Sequence, residues 1–180
     1  MSRHLIATAA AIVLAIGAAA ASSGDRRGSH DDGAEFEARL SGAEEVPPVV
    51  TDTTGKVEIK FNDDETSAEY ELTVRKGVRV TQSHIHCAAK GVNGPIVVFL
   101  AGFHSRGWDV DGRWVENATF TDANVMPPAS PACTHVITNL RELAAAIRAG
   151  DAYVNVHTVA HPGGEVRGQL QGEKEDHDQR

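Results

Sequence analysis

The stretch of sequence that decides the fold is Thr81-Gln82-Ser83-His84-Ile85-His86-Cys87. Its apolar and β-branched surroundings predict a single strand over residues 78–86. Because residues two apart on a strand share a face, His84 and His86 are expected on one side and Ile85 on the other. The chain therefore has a central strand with a pair of histidines on one of its faces.

The runs on either side of this strand alternate between apolar and polar residues, which is the pattern of half-buried strands. Residues 96–100 lack polar alternation and are expected to be buried on both sides, whereas residues 102–112 are expected to form a loop. Seven or eight short strands separated by turn residues predict an all-β fold, a Greek-key β-sandwich with a partly open barrel as the alternative. The apolar positions of the first three alternating runs are Phe36, Ala38 and Leu40, then Val57, Ile59 and Phe61, then Ala68, Tyr70, Leu72 and Val74.

One short helix is predicted near the end of the chain. Asn139 is a suitable N-cap, Glu142 stands three residues later as in a capping box, and Gly150 marks the end. The helix has one apolar face, so we expect it to cover an end or edge of the sheet. That face consists of Leu140, Leu143, Ala144 and Ile147.

The two ends of the chain differ in character from its centre. A short basic region at the N-terminus is followed by an Ala-rich apolar run, the pattern of a cleaved secretory signal peptide. The apolar run is too short for a spanning helix, so the mature protein is expected in the periplasm or medium with no membrane span. The predicted organisation is a signal peptide over 1–21, a flexible linker over 22–34, one domain over 35–172 and a disordered polar tail over 173–180.

Charge and cysteine content limit the partners and the compartment. The formal net charge is −8 for 180 residues, which argues against nucleic acid because phosphate binding needs a basic surface. Cys87 and Cys133 are the two cysteines of the chain. An even number of cysteines in an exported protein predicts a disulfide bond between them.

A metal site is one interpretation of the histidines. His84 and His86 present two imidazoles on one face, and His157 on a later strand is the natural third ligand, with His161 as a fourth. Imidazole nitrogens favour copper or zinc. The alternative is that these histidines are structural and hydrogen-bond loop carbonyls and carboxylates such as Glu165.

Catalysis has little support in the sequence. The chain contains no G-x-S-x-G elbow, no H-E-x-x-H motif and no P-loop. Glu165 and Arg167 share a strand face and are expected to form a solvent-exposed pair rather than an acid–base couple. We therefore expect no enzymatic activity and assign no catalytic residues.

Several of these segments together resemble the CHRD domain, named from chordin and also found in secreted bacterial proteins. The resemblance covers residues 36–171, and the closing YVNVHT and GGEVRGQL segments are its most specific part. The matching segments are Leu40-Ser41-Gly42-Ala43-Glu44-Glu45-Val46-Pro47-Pro48, Gly55, Ser83-His84-Ile85-His86, Asn93-Gly94-Pro95-Ile96-Val97, Tyr153-Val154-Asn155-Val156-His157-Thr158 and Gly163-Gly164-Glu165-Val166-Arg167-Gly168-Gln169-Leu170.

The resemblance implies an extracellular, immunoglobulin-like β fold without an established enzymatic role. It supplies no set of active-site residues. The predicted function is a secreted, non-enzymatic binding or structural module whose partner is an unknown extracellular protein or a metal ion. The alternative function is a copper- or zinc-binding protein that uses the His-x-His strand, with a redox role as one option.

Overall fold

The computed structural model describes residues 33–172. The predicted signal peptide, most of the predicted linker and the predicted tail lie outside the described residues. The described part contains one α-helix, α1 (Leu140–Arg148), and eight strands. The strands are β1 (Glu35–Ser41), β2 (Thr54–Phe61), β3 (Ser67–Cys87), β4 (Ile96–Ala101), β5 (Trp108–Thr121), β6 (Ala152–Thr158), β7 (Val166–Gln169) and β8 (Gln171–Gly172).

The eight strands form one antiparallel sheet that closes on itself. Neighbouring strands follow the order β2-β1-β7-β6-β3-β4, and β2 also pairs with β3, which joins the two sides of the sheet into a barrel. The extra strands β5 and β8 pair with β3 and β1. The all-β class and the single helix are confirmed. The immunoglobulin-like Greek-key sandwich is not, since the described strands form one closed sheet, nearer to the barrel alternative.

The length of β3 makes closure possible. The sequence predicted a separate strand over residues 78–86, but in the structure this segment is the second half of one strand of 21 residues that runs through Lys76 and Gly77. Lys76 and Arg79 adopt left-handed backbone angles, with φ of 54° and 52°. Their backbone N–H groups donate to the side chains of Asp111 and Asp109 on β5. The strand therefore bends without ending, and its first half pairs with β2 and β5 while its second half pairs with β6 and β4.

The barrel core follows the predicted alternation. The apolar positions of β1, β2 and the first half of β3 are all buried, as expected. Phe61 links this part of the core, because its ring meets those of Phe36 and Phe120 edge-on at 5.6 and 6.3 Å. Helix α1 begins where it was predicted, with the Asn139 side chain accepting from the backbone N–H of Glu142. Its buried residues are Leu140, Leu143, Ala144, Ala146 and Ile147.

Two local predictions were wrong. Strand β4 is not buried on both sides, because the Phe99 side chain is 46% exposed. The segment 102–112 is not all loop, because β5 begins at Trp108 and pairs with the bent part of β3. In both cases the cause is a pairing between distant segments, which the local residue pattern does not contain.

The two cysteines come together as predicted. Cys87 ends β3 and Cys133 precedes α1, and their sulfur atoms are 1.95 Å apart with a Cα separation of 5.1 Å. Both side chains belong to the buried core. Within the described residues, no helix has the length and apolar character required to cross a membrane.

Candidate functional site

Three buried histidines from two neighbouring strands converge at one point of the barrel. His84 and His86 share a face of β3, and β6, which carries His157, pairs directly with β3. In the register, His84 lies opposite Asn155 and His157 lies opposite Gln82. One nitrogen from each of the three imidazoles lies within 4.8 Å of the others. The structure thus brings together three of the four predicted metal ligands.

The fourth predicted ligand, His161, does not belong to this group. It lies in the turn after β6, where its backbone N–H donates to Thr158 Oγ1. Its side chain is partly exposed, and it is not one of the histidines whose nitrogens converge. The turn after β6 therefore holds His161 outside the histidine group.

Backbone carbonyls fix the tautomers of two of the rings. His86 Nδ1 is 2.9 Å from the carbonyl oxygen of Gly94, and His157 Nδ1 is 2.9 Å from that of Pro162. Since a carbonyl can only accept, Nδ1 carries the proton in both rings and Nε2 carries a lone pair. His84 Nδ1 lies 3.0 Å from His157 Nε2 and can donate to it. That bond leaves the Nε2 lone pair of His84 free.

Two of these lone pairs are buried without a partner. His84 Nε2 and His86 Nε2 are inaccessible to solvent, and neither has a hydrogen-bond partner among the described residues. The lone pair of His157 Nε2 is in a different position, because this atom also lies 2.9 Å from Asn155 Oδ1. A neutral His157 cannot donate to both Pro162 and Asn155, so one contact joins two acceptors. The site is rich in unshared electron pairs.

The three rings are uncharged at neutral pH. Burial lowers the pKa of His84 to about 3, and the repulsion that a protonated His84 would meet from protonated His157 or His86 lowers it further. Burial likewise lowers the pKa of His86 to about 4, although the hydrogen bond to Gly94 opposes it. The pKa of His157 is also lowered, again chiefly by burial. Neutral imidazole is the form that binds metal ions.

Phe99 separates the cluster from solvent. It lies opposite His84 in the β3–β4 register, and its ring meets that of His84 edge-on at 4.5 Å between centroids. His84 is only 1% exposed, whereas Phe99 is nearly half exposed. Phe99, on the edge strand β4, therefore forms part of the cover over His84.

On the other side of the cluster, the rings of His86 and Tyr153 stack. The two rings are nearly parallel, 7° apart, with centroids 4.8 Å apart. The guanidinium carbon of Arg167 lies 3.4 Å from the Tyr153 centroid, on the scale of a cation–π contact. Arg167 also donates to the carbonyl of Val92 and to the side chain of Asn93. Histidine, tyrosine and arginine thus form one continuous stack.

The predicted exposed pair of Glu165 and Arg167 is wrong. Both residues are buried, 6% and 2% exposed. Glu165 accepts hydrogen bonds from three threonine hydroxyls at 2.5 to 2.7 Å, and these bonds lower its pKa against the effect of burial. Its oxygens are occupied by threonines rather than by His84 or His86. The three threonines are Thr51, Thr53 and Thr158.

Glu45 completes this end of the barrel. The residue is 6% exposed, and burial raises its pKa to about 7 although the Arg167 charge opposes the shift. Its Oε1 atom has no hydrogen-bond partner among the described residues. A Cβ built on Gly164 would lie 2.4 Å from that oxygen, so only glycine fits there, at a φ of 128°. Glu45 therefore lies against the backbone of the turn before β7.

Sequence reasoning missed Phe99, Tyr153, Arg167 and Glu45 as parts of this site. The last three lie in the segments that carry the family resemblance, and that clustering was the available signal. Phe99 had no such signal, because its position depends on the pairing of β4 with β3.

Comparison with known proteins gives one positive result. The family model of the CHRD domain matches residues 36–170, which spans nearly all of the described barrel. No match was found among curated proteins or among solved structures. Since the matched segment covers most of the chain, the protein belongs to the CHRD domain family.

Proposed function

We propose that this protein is a secreted or periplasmic, non-enzymatic module that works by binding or by supporting an extracellular structure. The CHRD match carries the proposal, since it spans nearly all of the barrel. The cysteine pair at disulfide distance supports an oxidising compartment. The domain is proposed to occupy residues 35–172, after a cleaved signal peptide over 1–21 and a linker over 22–34, and before a polar tail over 173–180.

The contacts of the charged motif residues support a non-catalytic role. Glu165 is held by three hydroxyl donors, and Arg167 is held by a carbonyl, an amide and a ring. Groups held in this way order the barrel end, whereas a general acid or base must exchange a proton with substrate. These contacts give Glu165 and Arg167 of the GGEVRGQL segment a structural role, so their charges do not imply a catalytic reaction.

An activity screen tests the module proposal. Protein recovered from its native compartment is assayed with hydrolase and oxidase substrates beside a His84→Ala variant. We expect no turnover above background with either protein. Turnover in the wild type that disappears in the variant would contradict the proposal. Mass spectrometry of the same sample tests the processing, with an N-terminus at Ser22 as the expected result.

A second candidate function, favoured by the buried lone pairs, is binding of copper or zinc by His84, His86 and His157. Buried polar atoms in folded proteins are nearly always paired, yet His84 Nε2 and His86 Nε2 lack hydrogen-bond partners in the described part. A cation would satisfy such lone pairs and would relieve the contact between His157 Nε2 and Asn155 Oδ1. Imidazole ligands select copper or zinc over magnesium or calcium.

The spacing suits one shared ion after small ring rotations. Nitrogens bound to one tetrahedral ion at ~2.0 to 2.1 Å lie about 3.4 Å apart. One nitrogen from each ring lies within 4.8 Å of the other two, so modest rotations of the rings would bring the three to that spacing. The carbonyls of Gly94 and Pro162 accept from Nδ1 of His86 and His157, and a hydrogen bond of this kind orients the ring of a metal-binding histidine.

Metal analysis and calorimetry test this candidate. We compare the wild type with His86→Ala and with His104→Ala, whose imidazole is exposed and lies outside the cluster. The wild type and His104→Ala are expected to bind one copper or zinc ion with micromolar or tighter affinity, and His86→Ala to bind much more weakly. If the wild type binds neither ion, or if His86→Ala binds equally well, the histidines are structural.

A further inference from the structure

The charges around the three histidines differ from those expected of a site for divalent ions. We infer that the site selects monovalent copper, Cu(I), over the divalent ions Zn(II) and Cu(II). This inference rests on the proposed metal-binding role of His84, His86 and His157. The selectivity follows from the neutral ligand set, from the adjacent Arg167 and from the Phe99 ring that packs on His84.

The ligand set itself carries no negative charge. Among the described residues, the group that could hold an ion consists of three histidines, without a carboxylate or a thiolate. The side-chain oxygen that contacts His157 Nε2, Asn155 Oδ1, is uncharged. Cys87 follows His86 in the chain, but its sulfur is bonded to that of Cys133. An ion at this site would therefore keep its full formal charge.

The nearby charge is positive. Arg167 lies over one face of Tyr153, and Tyr153 stacks on His86, so a guanidinium is separated from the cluster by one aromatic ring. The charge of this guanidinium disfavours a metal cation at the cluster, and does so in proportion to the ion's charge.

The carboxylates at this end of the barrel give little compensation. Glu165 is occupied by three threonine hydroxyls, and Glu45 lies on the Arg167 side of the stack with a pKa of about 7. The Phe99 ring packs edge-on against His84 and limits the space for an anionic fourth ligand such as hydroxide. A divalent ion would thus be buried with no carboxylate among its ligands to neutralise its second charge.

Burial penalises that second charge strongly. The desolvation cost of an ion rises with the square of its charge, and the buried histidines provide a medium of low polarity. In an open site, three imidazoles would prefer Cu(II), then Zn(II), by the usual order of affinities. Here the uncompensated charge reverses the order, since three neutral imidazoles can coordinate Cu(I) in a plane without a fourth ligand.

Coulomb's law gives the size of the contribution of Arg167 to the ion selectivity. With an arginine about 10 Å from the ion and an effective dielectric constant of about 20, each unit of ion charge changes affinity by roughly tenfold. A divalent ion has one unit more than Cu(I), so Arg167 alone favours Cu(I) by about tenfold. Desolvation adds to this preference.

Competition titrations on the mature protein measure the selectivity. Cu(I) is presented anaerobically with ascorbate and a chromophoric Cu(I) chelator, while Zn(II) and Cu(II) are titrated against chelators of known affinity. We expect the Kd for Cu(I) to be at least a hundredfold lower than that for Zn(II). A Zn(II) or Cu(II) affinity equal to or higher than that of Cu(I) overturns the inference while the metal site stands. Failure of all three ions to bind overturns both.

Matched variants test the role of charge. Arg167→Lys and Arg167→Gln both lose the planar guanidinium and its paired hydrogen bonds, but the first keeps the positive charge. The ratio of Cu(I) to Zn(II) affinity should fall about tenfold more in Arg167→Gln than in Arg167→Lys. Equal ratios in the two variants contradict the charge argument.

A variant outside the stack keeps the test available if either Arg167 variant fails to fold. Glu45→Gln removes the negative charge that faces Arg167 without touching the histidines. Above pH 8, where Glu45 is ionised in the wild type, this variant should prefer Cu(I) over Zn(II) several-fold more than the wild type does. An unchanged or smaller preference contradicts the inference.

Discussion

Removal of the link between Cys87 and Cys133 should destabilise the protein by about 4 kcal/mol. The two residues are separated by 46 positions, and the chain-entropy relation for a loop of that length gives about 4 kcal/mol of stabilisation from the restricted unfolded state. Single domains are stable by about 5 to 15 kcal/mol. A double Cys87→Ala/Cys133→Ala variant should therefore lose between a quarter and most of its stability.

Urea denaturation followed by tryptophan fluorescence measures this loss, because Trp114 packs against the core. The wild type is compared with the double variant, each with and without a thiol reductant. Reductant should lower the unfolding free energy of the wild type to about that of the variant and leave the variant unchanged. Two free thiols in protein purified without reductant, or a difference below about 1 kcal/mol, would refute the reasoning.

Three further predictions concern stability in the metal-free protein. Because the pKa of Glu45 is raised to about 7, the stability that its protonated form contributes is fully present below pH 4.5 and is lost as the pH rises through 7. In urea titrations, the unfolding free energy should therefore fall between pH 5 and pH 8 by about 1 to 2 kcal/mol more in the wild type than in Glu45→Gln, after allowance for solvent screening. The lowered pKa values of His84 and His86, about 3 and about 4, predict the opposite trend: their contribution is present above pH 6.5 and falls below it by up to about 1.4 kcal/mol per pH unit for each ring. A double His84→Gln/His86→Gln variant should show a flatter profile between pH 6.5 and 4.5, and an equally steep one would contradict the assignment. Asn139→Ala removes the cap bond to the backbone N–H of Glu142 and should lower the unfolding free energy, measured by urea titration, by about 1 kcal/mol.

Local periodicity was sufficient for strands with one dry face and one wet face. On β1, Phe36 and Leu40 were predicted to face inward, and both are buried. On β6, the same alternation places Asn155 and His157 on one face. That polar face is not exposed to solvent as the pattern implied, since both residues are buried. Periodicity shows that residues differ in direction, whereas their exposure depends on what the rest of the chain places against them.

The candidate site shows the same division between local and distant information. Strand parity predicted that His84 and His86 share a face, but only the pairing of β3 with β6 brings His157 beside them. The stack of Tyr153 with Arg167 could not be predicted, because nothing near either residue indicates a partner fourteen positions away. The bend in β3 depends on Asp109 and Asp111, which follow it by some thirty residues.

The pairing of the first described strand with the last two has a consequence for the timing of folding. Phe36 on β1 lies opposite Gly172 on β8, and Ser41 lies opposite Arg167 on β7. During synthesis, the barrel cannot close until the end of the domain has left the ribosome, since contacts between distant segments must wait for both partners. A chain that stays open until its last strand is made would be compatible with the proposed export, since a folded barrel would not fit a secretion channel.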